Sequence, residues 1–92
     1  NGEVPLGFVL KQNYPNPFNS STTISYQLPI QSYVALKVYD VLGREVTTLV
    51  NEVKQPGTYT VQFDGSGLAS GLYLYRLQAG SFVDVKKLIL VK

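Results

Sequence analysis

The sequence predicts an all-β protein, a seven-stranded antiparallel β-sandwich, on three observations. Its apolar residues are mainly Val, Leu, Ile, Tyr and Phe, with no Met or Trp, and these types pack well on a pleated sheet. The apolar runs are separated by turn residues at about the 8–12-residue spacing typical of sandwiches. No stretch keeps the 3.6-residue period of an amphipathic helix. Ninety-two residues, 45% of them hydrophobic, suit one domain with a modest core.

Two strands are expected in the first third of the chain. Residues 1–7 are predicted to be the end of a linker. A first strand is expected over Phe8–Tyr14 and ends at Pro15–Pro17, where two prolines lack the amide donors that a ladder needs. The second strand, Thr22–Leu28, alternates apolar and polar residues and ends before Pro29. This alternation predicts a half-buried strand.

A central hairpin is predicted next. Tyr33–Tyr39 is apolar on both faces except at one lysine, which is typical of a strand in the middle of a sheet. Asp40–Arg44 is predicted to be the hairpin loop, because an Asp side chain can accept turn amides and Gly43 can adopt a positive φ. Glu45–Val50 is expected to return antiparallel.

The second half of the chain is predicted to hold two more strand regions and their connections. A polar loop over 51–55 and a type II turn at Pro56-Gly57 are followed by a strand over Thr58–Asp64. Residues 65–71 then cross between the sheets, and Leu72–Ala79 and Phe82–Val91 form a final hairpin.

The residue types present argue against an enzyme. The chain has no His and no Cys, which removes disulfides, the usual zinc ligands and the commonest catalytic base. Of six carboxylates, Asp40 and Asp64 close strands just before turns, where an acceptor side chain stabilises the loop. No loop offers enough oxygens for calcium, and no Gly-rich turn leads into a helix that would receive a phosphate. We therefore expect no catalytic residues, no metal and no cofactor.

Charge and hydropathy narrow the possible partners. The net charge of +2 is too small to indicate nucleic acid. No apolar run approaches the roughly 20 residues of a membrane helix, so no transmembrane segment is expected. The chain begins at Asn1 with neither an initiator Met nor a signal peptide, so we expect a piece of a longer polypeptide.

Tyrosines and lysines are the candidate recognition residues. Tyr33 and Tyr75 are placed so that they can face outward, which keeps carbohydrate binding as an alternative. The other four strand tyrosines lie in phase with apolar neighbours and are expected to pack in the core or at a sheet edge: Tyr26, Tyr39, Tyr59 and Tyr73.

Three of the eight basic residues fall in the last seven positions, Lys86, Lys87 and Lys92. One interpretation is that these lysines protect an exposed edge strand from pairing with other chains. The other is that a receptor recognises a basic, apolar last strand, for example by strand addition. The two interpretations are compatible.

Four segments in register resemble one family, and together they span nearly the whole chain from Leu6. The chain resembles the type A C-terminal sorting domain of the type IX secretion system, an immunoglobulin-like sandwich. The matching segments are, in order, Asn13-Tyr14-Pro15-Asn16-Pro17-Phe18-Asn19 with Thr22–Pro29, Val38-Tyr39-Asp40-Val41-Leu42-Gly43-Arg44-Glu45-Val46, Leu68–Leu77 with Gly71 and Tyr73, and Lys86-Lys87-Leu88-Ile89-Leu90-Val91-Lys92.

The resemblance implies a non-catalytic secretion address at the C-terminal end of a larger cargo protein from a Bacteroidetes-like bacterium. The implied partners are the cargo domain, components of the translocon and a sortase-like peptidase that removes the domain. The implied route leads through the periplasm to the cell surface or the medium. Recognition is assigned to Lys86, Lys87, Leu88, Ile89, Leu90, Val91 and Lys92. A structural role is assigned to the motif residues Asn13, Tyr14, Pro15, Asn16, Pro17, Tyr39, Asp40, Gly43, Arg44, Gly71 and Tyr73.

Two alternatives remain open at the level of sequence. One is a carbohydrate- or surface-binding accessory module. The other is a structural assembly domain, because the Tyr39–Arg44 block also resembles the immunoglobulin-like domain of flagellar hook-capping proteins.

Overall fold

Within residues 4–92, seven strands form two antiparallel sheets that face each other, as the apolar periodicity predicts. The structure is a computed structural model and describes those residues. The strands are β1 Val9–Leu10, β2 Ser21–Leu28, β3 Ser32–Tyr39, β4 Glu45–Lys54, β5 Gly57–Asp64, β6 Gly71–Ala79 and β7 Phe82–Leu90. The three-stranded sheet has the order β1-β2-β5 and the four-stranded sheet the order β4-β3-β6-β7. The expected immunoglobulin-like sandwich is confirmed.

The core lies between the two sheets and follows from the alternation of side chains along each strand. In β2, Ile24, Tyr26 and Leu28 point inward and are buried. The four-stranded sheet faces them with the inward side chains of β3, β6 and β7: Val34, Leu36, Val38, Tyr73, Tyr75, Leu77, Ala79, Leu88 and Leu90. The prediction that Tyr33–Tyr39 lies mid-sheet is confirmed, because β3 pairs with both β4 and β6.

The first strand is shorter than predicted. Instead of Phe8–Tyr14, only Val9–Leu10 forms a ladder with β2, and a single bridge joins Tyr14 to Thr23. The ladder breaks because the amide of Asn13 donates to the hydroxyl of Tyr75 in the opposite sheet rather than to β2. The linker predicted over residues 1–7 falls partly on residues 1–3, which lie outside the described residues.

Two predictions around residue 55 are wrong. Asn51–Lys54, predicted as loop, continues β4 and pairs with Ser32–Ala35. A strand at a sheet edge tolerates polar residues, so composition there indicates little about pairing. The expected type II turn is also absent: Gly57 opens β5 with a φ of 154°, far from the roughly +80° that such a turn requires.

Candidate recognition surface

The predicted recognition segment lies on β7, an edge strand of the four-stranded sheet, and its side chains divide between two faces. Leu88 and Leu90 point inward and are fully buried in the core. Lys87 and Ile89 alternate with them on the outer face of the sheet, and Val91 and Lys92 follow as exposed residues. Lys86 also points inward but is half-buried, with its Nζ 3.9 Å from Asp84 Oδ2. From Lys87 to Val91 the segment therefore exposes only alternate residues, and Lys92 is exposed after them.

The outer edge of the end of β7 is covered by the chain segment 12–18, named here the covering segment. Phe18 forms a parallel bridge there, since its amide donates to Ile89 O and its carbonyl accepts from the Val91 amide, both at 2.9 Å. The Asn16 side chain accepts from the Ile89 amide at 2.9 Å. Gln12 Nε2 donates to Lys87 O at 2.7 Å. The main-chain groups at this end of β7 therefore have partners within the domain.

A buried polar cluster holds the covering segment in place. Tyr75 Oη donates to Lys11 O and accepts from the Asn13 amide, each at 2.7 Å. Asn13 Nδ2 donates to Thr22 Oγ1 at 3.0 Å, and that hydroxyl donates to Pro15 O at 2.8 Å. Burial raises the pKa of Tyr75 to about 12, so its hydroxyl stays protonated and able to donate. The cluster ties the segment to both sheets at once.

Three motif residues of the covering segment, Tyr14, Pro15 and Pro17, lie at the protein surface. Tyr14 is exposed, although its main chain bridges Thr23 in both directions at 3.0 Å. Pro15 and Pro17 are exposed as well. These residues contribute through the main chain, whose path between the two sheets they determine.

The loop between β3 and β4 is held by one carboxylate. Asp40 Oδ1 accepts from the amides of Leu42 and Arg44 at 2.9 and 3.0 Å, and Oδ2 accepts from Arg44 Nε at 2.9 Å. Hydrogen bonding from the Arg44 amide, together with the Arg44 guanidinium and the Leu42 amide, lowers the pKa of Asp40. Gly43 adopts a φ of +85°, a conformation that residues with a Cβ rarely adopt. The half-buried Tyr39 precedes this loop on the outer face of β3.

Tyr73 forms the tyrosine corner characteristic of immunoglobulin-like domains. It lies near the start of β6, and its hydroxyl donates to Ala69 O at 2.7 Å. Gly71, which begins β6, is exposed and pairs with Leu90 at the end of β7. The hydrogen bond from Tyr73 to Ala69 O fixes the connection that leads from β5 in one sheet to β6 in the other.

One of the two tyrosines predicted to face outward does so. Tyr33 is 55% exposed, hydrogen-bonds Asn51, and borders a recess of about 220 Å³. Tyr75 is fully buried, so that prediction is wrong: its strand is in the middle of the sheet and its hydroxyl belongs to the polar cluster. Of the remaining four, Tyr26 and Tyr73 are buried and the half-buried Tyr59 stacks on Tyr26 at 5.4 Å, as expected. Tyr39 is half-buried on the outer face of the middle strand β3, so the expectation that it packs in the core or at a sheet edge is wrong.

Sequence reasoning missed Thr22, Phe18 and Gln12. Thr22 carries a weak signal, since it is in phase with the inward residues of β2. Phe18 is an aromatic residue directly after the proline pair and is buried against Phe63, 6.0 Å between ring centroids. Nothing in the sequence indicates that Gln12 reaches β7, because 75 positions separate it from Lys87.

These features define a small β-sandwich module that presents the outer face of a firmly held edge strand. Residues 12–92 match the family model described as "Secretion system C-terminal sorting domain", and the chain belongs to that family. It is thus a sorting signal of the type IX secretion system. Within residues 4–92 there is no helix long and apolar enough to cross a membrane.

Two solved structures from Porphyromonas gingivalis share the fold. One is dimeric latent PorU, with a TM-score of 0.70 and 24% identity over 99% of this chain and 10% of that one. The other is PorZ, described as an essential bacterial surface component of the type IX secretion system, with a TM-score of 0.60 and 20% identity over 94% of this chain and 12% of that one. The chain thus spans about a tenth of each of those proteins. No curated protein matches the chain in sequence.

Proposed function

We propose that residues 8–92 are the address by which the type IX machinery exports a cargo joined through residues 1–7, and that the machinery recognises the last strand. The single observation that supports this most is the arrangement of β7. Lys87, Ile89 and Val91 are exposed on a strand whose intervening residues, Leu88 and Leu90, are locked in the core. A receptor would therefore meet a preorganised row of side chains at little cost in conformational entropy.

The covering segment narrows the mode of recognition. Strand addition needs unpaired main-chain groups at a sheet edge. From Lys87 to Val91 those groups are already bonded to the covering segment, so another strand could pair there only by displacing residues 12–18. Recognition at this end thus falls to the side chains on the outer face. In the predicted recognition segment, Leu88 and Leu90 then act by holding the strand.

The domain itself contributes binding and no catalysis, which fits a chain without His or Cys. The cargo passes through the periplasm to the outer membrane, reaches the cell surface or the medium, and loses the domain to a sortase-like peptidase. Latent PorU and the surface component PorZ carry the same fold within far longer chains, which supports a place for this module in that system.

The test is export of a periplasmically targeted fluorescent reporter fused to residues 1–92, in a bacterium with an intact type IX system. Deleting residues 86–92 would also remove two core leucines, so the informative variant is Lys87→Gln/Ile89→Thr/Val91→Thr, which keeps the core. We expect wild-type export and a loss of about tenfold or more in the variant, as for central contacts of an interface.

The control for this variant lies on the same face of the same strand. Val83 and Val85 are 47% and 46% exposed, and Val83→Thr/Val85→Thr is expected to be exported like the wild type. If the wild-type fusion stays in the periplasm although it is folded, the sorting function is contradicted, and binding of the isolated domain to glycans near Tyr33 becomes the alternative to measure. If the triple variant is exported as well as the wild type, recognition does not lie on the outer face of β7.

A further inference from the structure

A second exposed apolar element lies beside the end of β7 and has no role in the fold. The loop after β3 needs Asp40 and Gly43 for its conformation, as described above. The side chains of its two tip residues, Val41 and Leu42, hold no such role, and these residues are 64% and 74% exposed. Two large aliphatic side chains on a loop held by five hydrogen bonds form a rigid apolar projection.

The tip is continuous with the outer face of β7. Val41, Leu42 and Leu72 border one depression of about 310 Å³ at the start of β6. Leu72 is the cross-strand partner of Ile89, so the two side chains are neighbours on the outer face, and each is 39% exposed. Val41, Leu42, Leu72 and Ile89 are named here the distal patch. The central loop and the last strand, 45 or more positions apart in sequence, thus contribute to one surface.

The cargo joins the domain at the opposite end. Phe8, the first residue after the proposed linker, stacks on Phe82 beyond the end of β6, with 5.2 Å between ring centroids. Leu72 and Ala79 are seven residues apart along β6, or about 23 Å at roughly 3.3 Å per residue. A cargo attached near Phe82 therefore leaves the distal patch accessible.

The charges at the border indicate the occupant. Asp40 is neutralised by its ion pair with Arg44. Lys87 lies next to the patch opposite Leu74 and forms no ion pair with a carboxylate among residues 4–92, whereas the ammonium of Lys92 donates to Ser66 O in the loop after β5. In a two-fold contact between copies the patch would meet itself and bring like charges together. A partner with an apolar groove and an acidic rim complements this surface better.

We propose that the distal patch is one composite docking surface for a protein of the secretion machinery with an apolar groove bordered by carboxylates, and that the loop tip contributes to it together with β7. The inference rests on the proposed function, and it adds a second recognition element far from the last strand in sequence. It predicts that substitutions at residues 41 and 42 reduce export although β7 is unchanged.

The experiment uses the reporter fused to residues 1–92 and the double variant Val41→Ser/Leu42→Ser. The matched control, Val83→Ser/Val85→Ser, removes two exposed apolar side chains from the end nearest the cargo. We expect export of the tip variant to fall by about tenfold or more while the control stays within about twofold of the wild type. Melting temperatures of the purified domains check folding, and Leu42→Gln alone, at the most exposed position of the patch, replaces the double variant if that is destabilised.

Each contrary result has a separate meaning. Normal export of the tip variant overturns the composite surface but leaves the sorting function standing. An equal loss in tip variant and control also overturns it, because the effect would then not be local. If the wild-type domain self-associates, the tip variant is monomeric and export is unaffected, the patch joins two copies and the proposal is wrong. Failure of the wild-type fusion to be exported contradicts the sorting function and the docking surface together.

Discussion

The two halves of β7 differ although both alternate inward and outward side chains. In the first half the inward positions are Phe82, Asp84 and Lys86, which remain half-buried, and two of the three are charged. In the second half they are Leu88 and Leu90, which are fully buried. The first half has an outer edge with which no strand or bridge of residues 4–92 pairs, whereas the covering segment occupies the second.

The difference shows that a neighbouring segment and the inward residues of the strand together decide what an edge strand presents. Where residues 12–18 cross between the sheets, they complete the core and satisfy the main chain. Where they are absent, inward-pointing charges keep the edge from pairing with other chains. The domain thus exposes the outer face of its last strand near residue 90 without exposing an edge whose main-chain groups are free to pair with another chain.

The largest expected effect is a difference in the free energy of unfolding between substitutions at inward residues of the two halves of β7. Leu88→Ala should lower the free energy of unfolding by about 2–5 kcal/mol, because it opens a cavity in the core. Lys86→Ala, two positions earlier on the same face, should change it by no more than about 0.5 kcal/mol, as is usual for partly exposed residues outside the core. Urea denaturation of both variants measures the difference. Similar losses would contradict the division of the strand.

A smaller effect tests whether the polar cluster holds the covering segment. Tyr75→Phe leaves the Asn13 amide and the Lys11 carbonyl without their partner, which should cost about 1–3 kcal/mol. Hydrogen exchange should accelerate at the Ile89 amide, which donates to Asn16 of the segment. Tyr33→Phe, which removes an exposed hydroxyl, is the control. Unchanged exchange at Ile89 would show that the segment stays in place without the cluster.

The smallest effect is a pH dependence where β5 ends beside the end of β7. The Ser66 amide and side chain, with a contribution from Lys92, lower the pKa of Asp64 below its usual 3.8. A carboxyl with a lowered pKa in the folded state stabilises the fold above pH 3.8, and this contribution disappears as the pH falls through the lowered value. The melting temperature of the wild type should therefore exceed that of Asp64→Asn at about pH 6 and approach it at about pH 2. A constant difference would contradict this assignment.

Elements whose pattern is local were predictable. Strands β2 and β5 alternate clearly, β3 is a nearly continuous apolar run, and the loop Asp40–Arg44 carries its own acceptor and glycine. The sequence pattern indicates less where the partner of a residue is far away. Asn51–Lys54 is polar and yet forms part of β4, because pairing with β3 outweighs composition. Tyr75 carries a polar hydroxyl and yet is buried, because residues 11 and 13 across the sandwich supply hydrogen-bond partners for that hydroxyl.

The candidate surface likewise has features that the sequence indicates and features that depend on the order of the strands. Sequence motifs alone indicate the family, the basic last strand and the central loop as features of interest. That the loop tip and Ile89 share a patch depends on the order β4-β3-β6-β7, which places Leu72 between them.

The all-β class, most strands, the turn residues and the lack of the usual catalytic and metal-binding side chains could be predicted from the sequence, because they follow from residue type and short-range periodicity. The folded arrangement was needed to establish which half of β7 is covered, which tyrosine is buried and which distant motifs form one surface. Those outcomes depend on contacts between residues that are 17 to 75 positions apart, and no local pattern encodes such contacts.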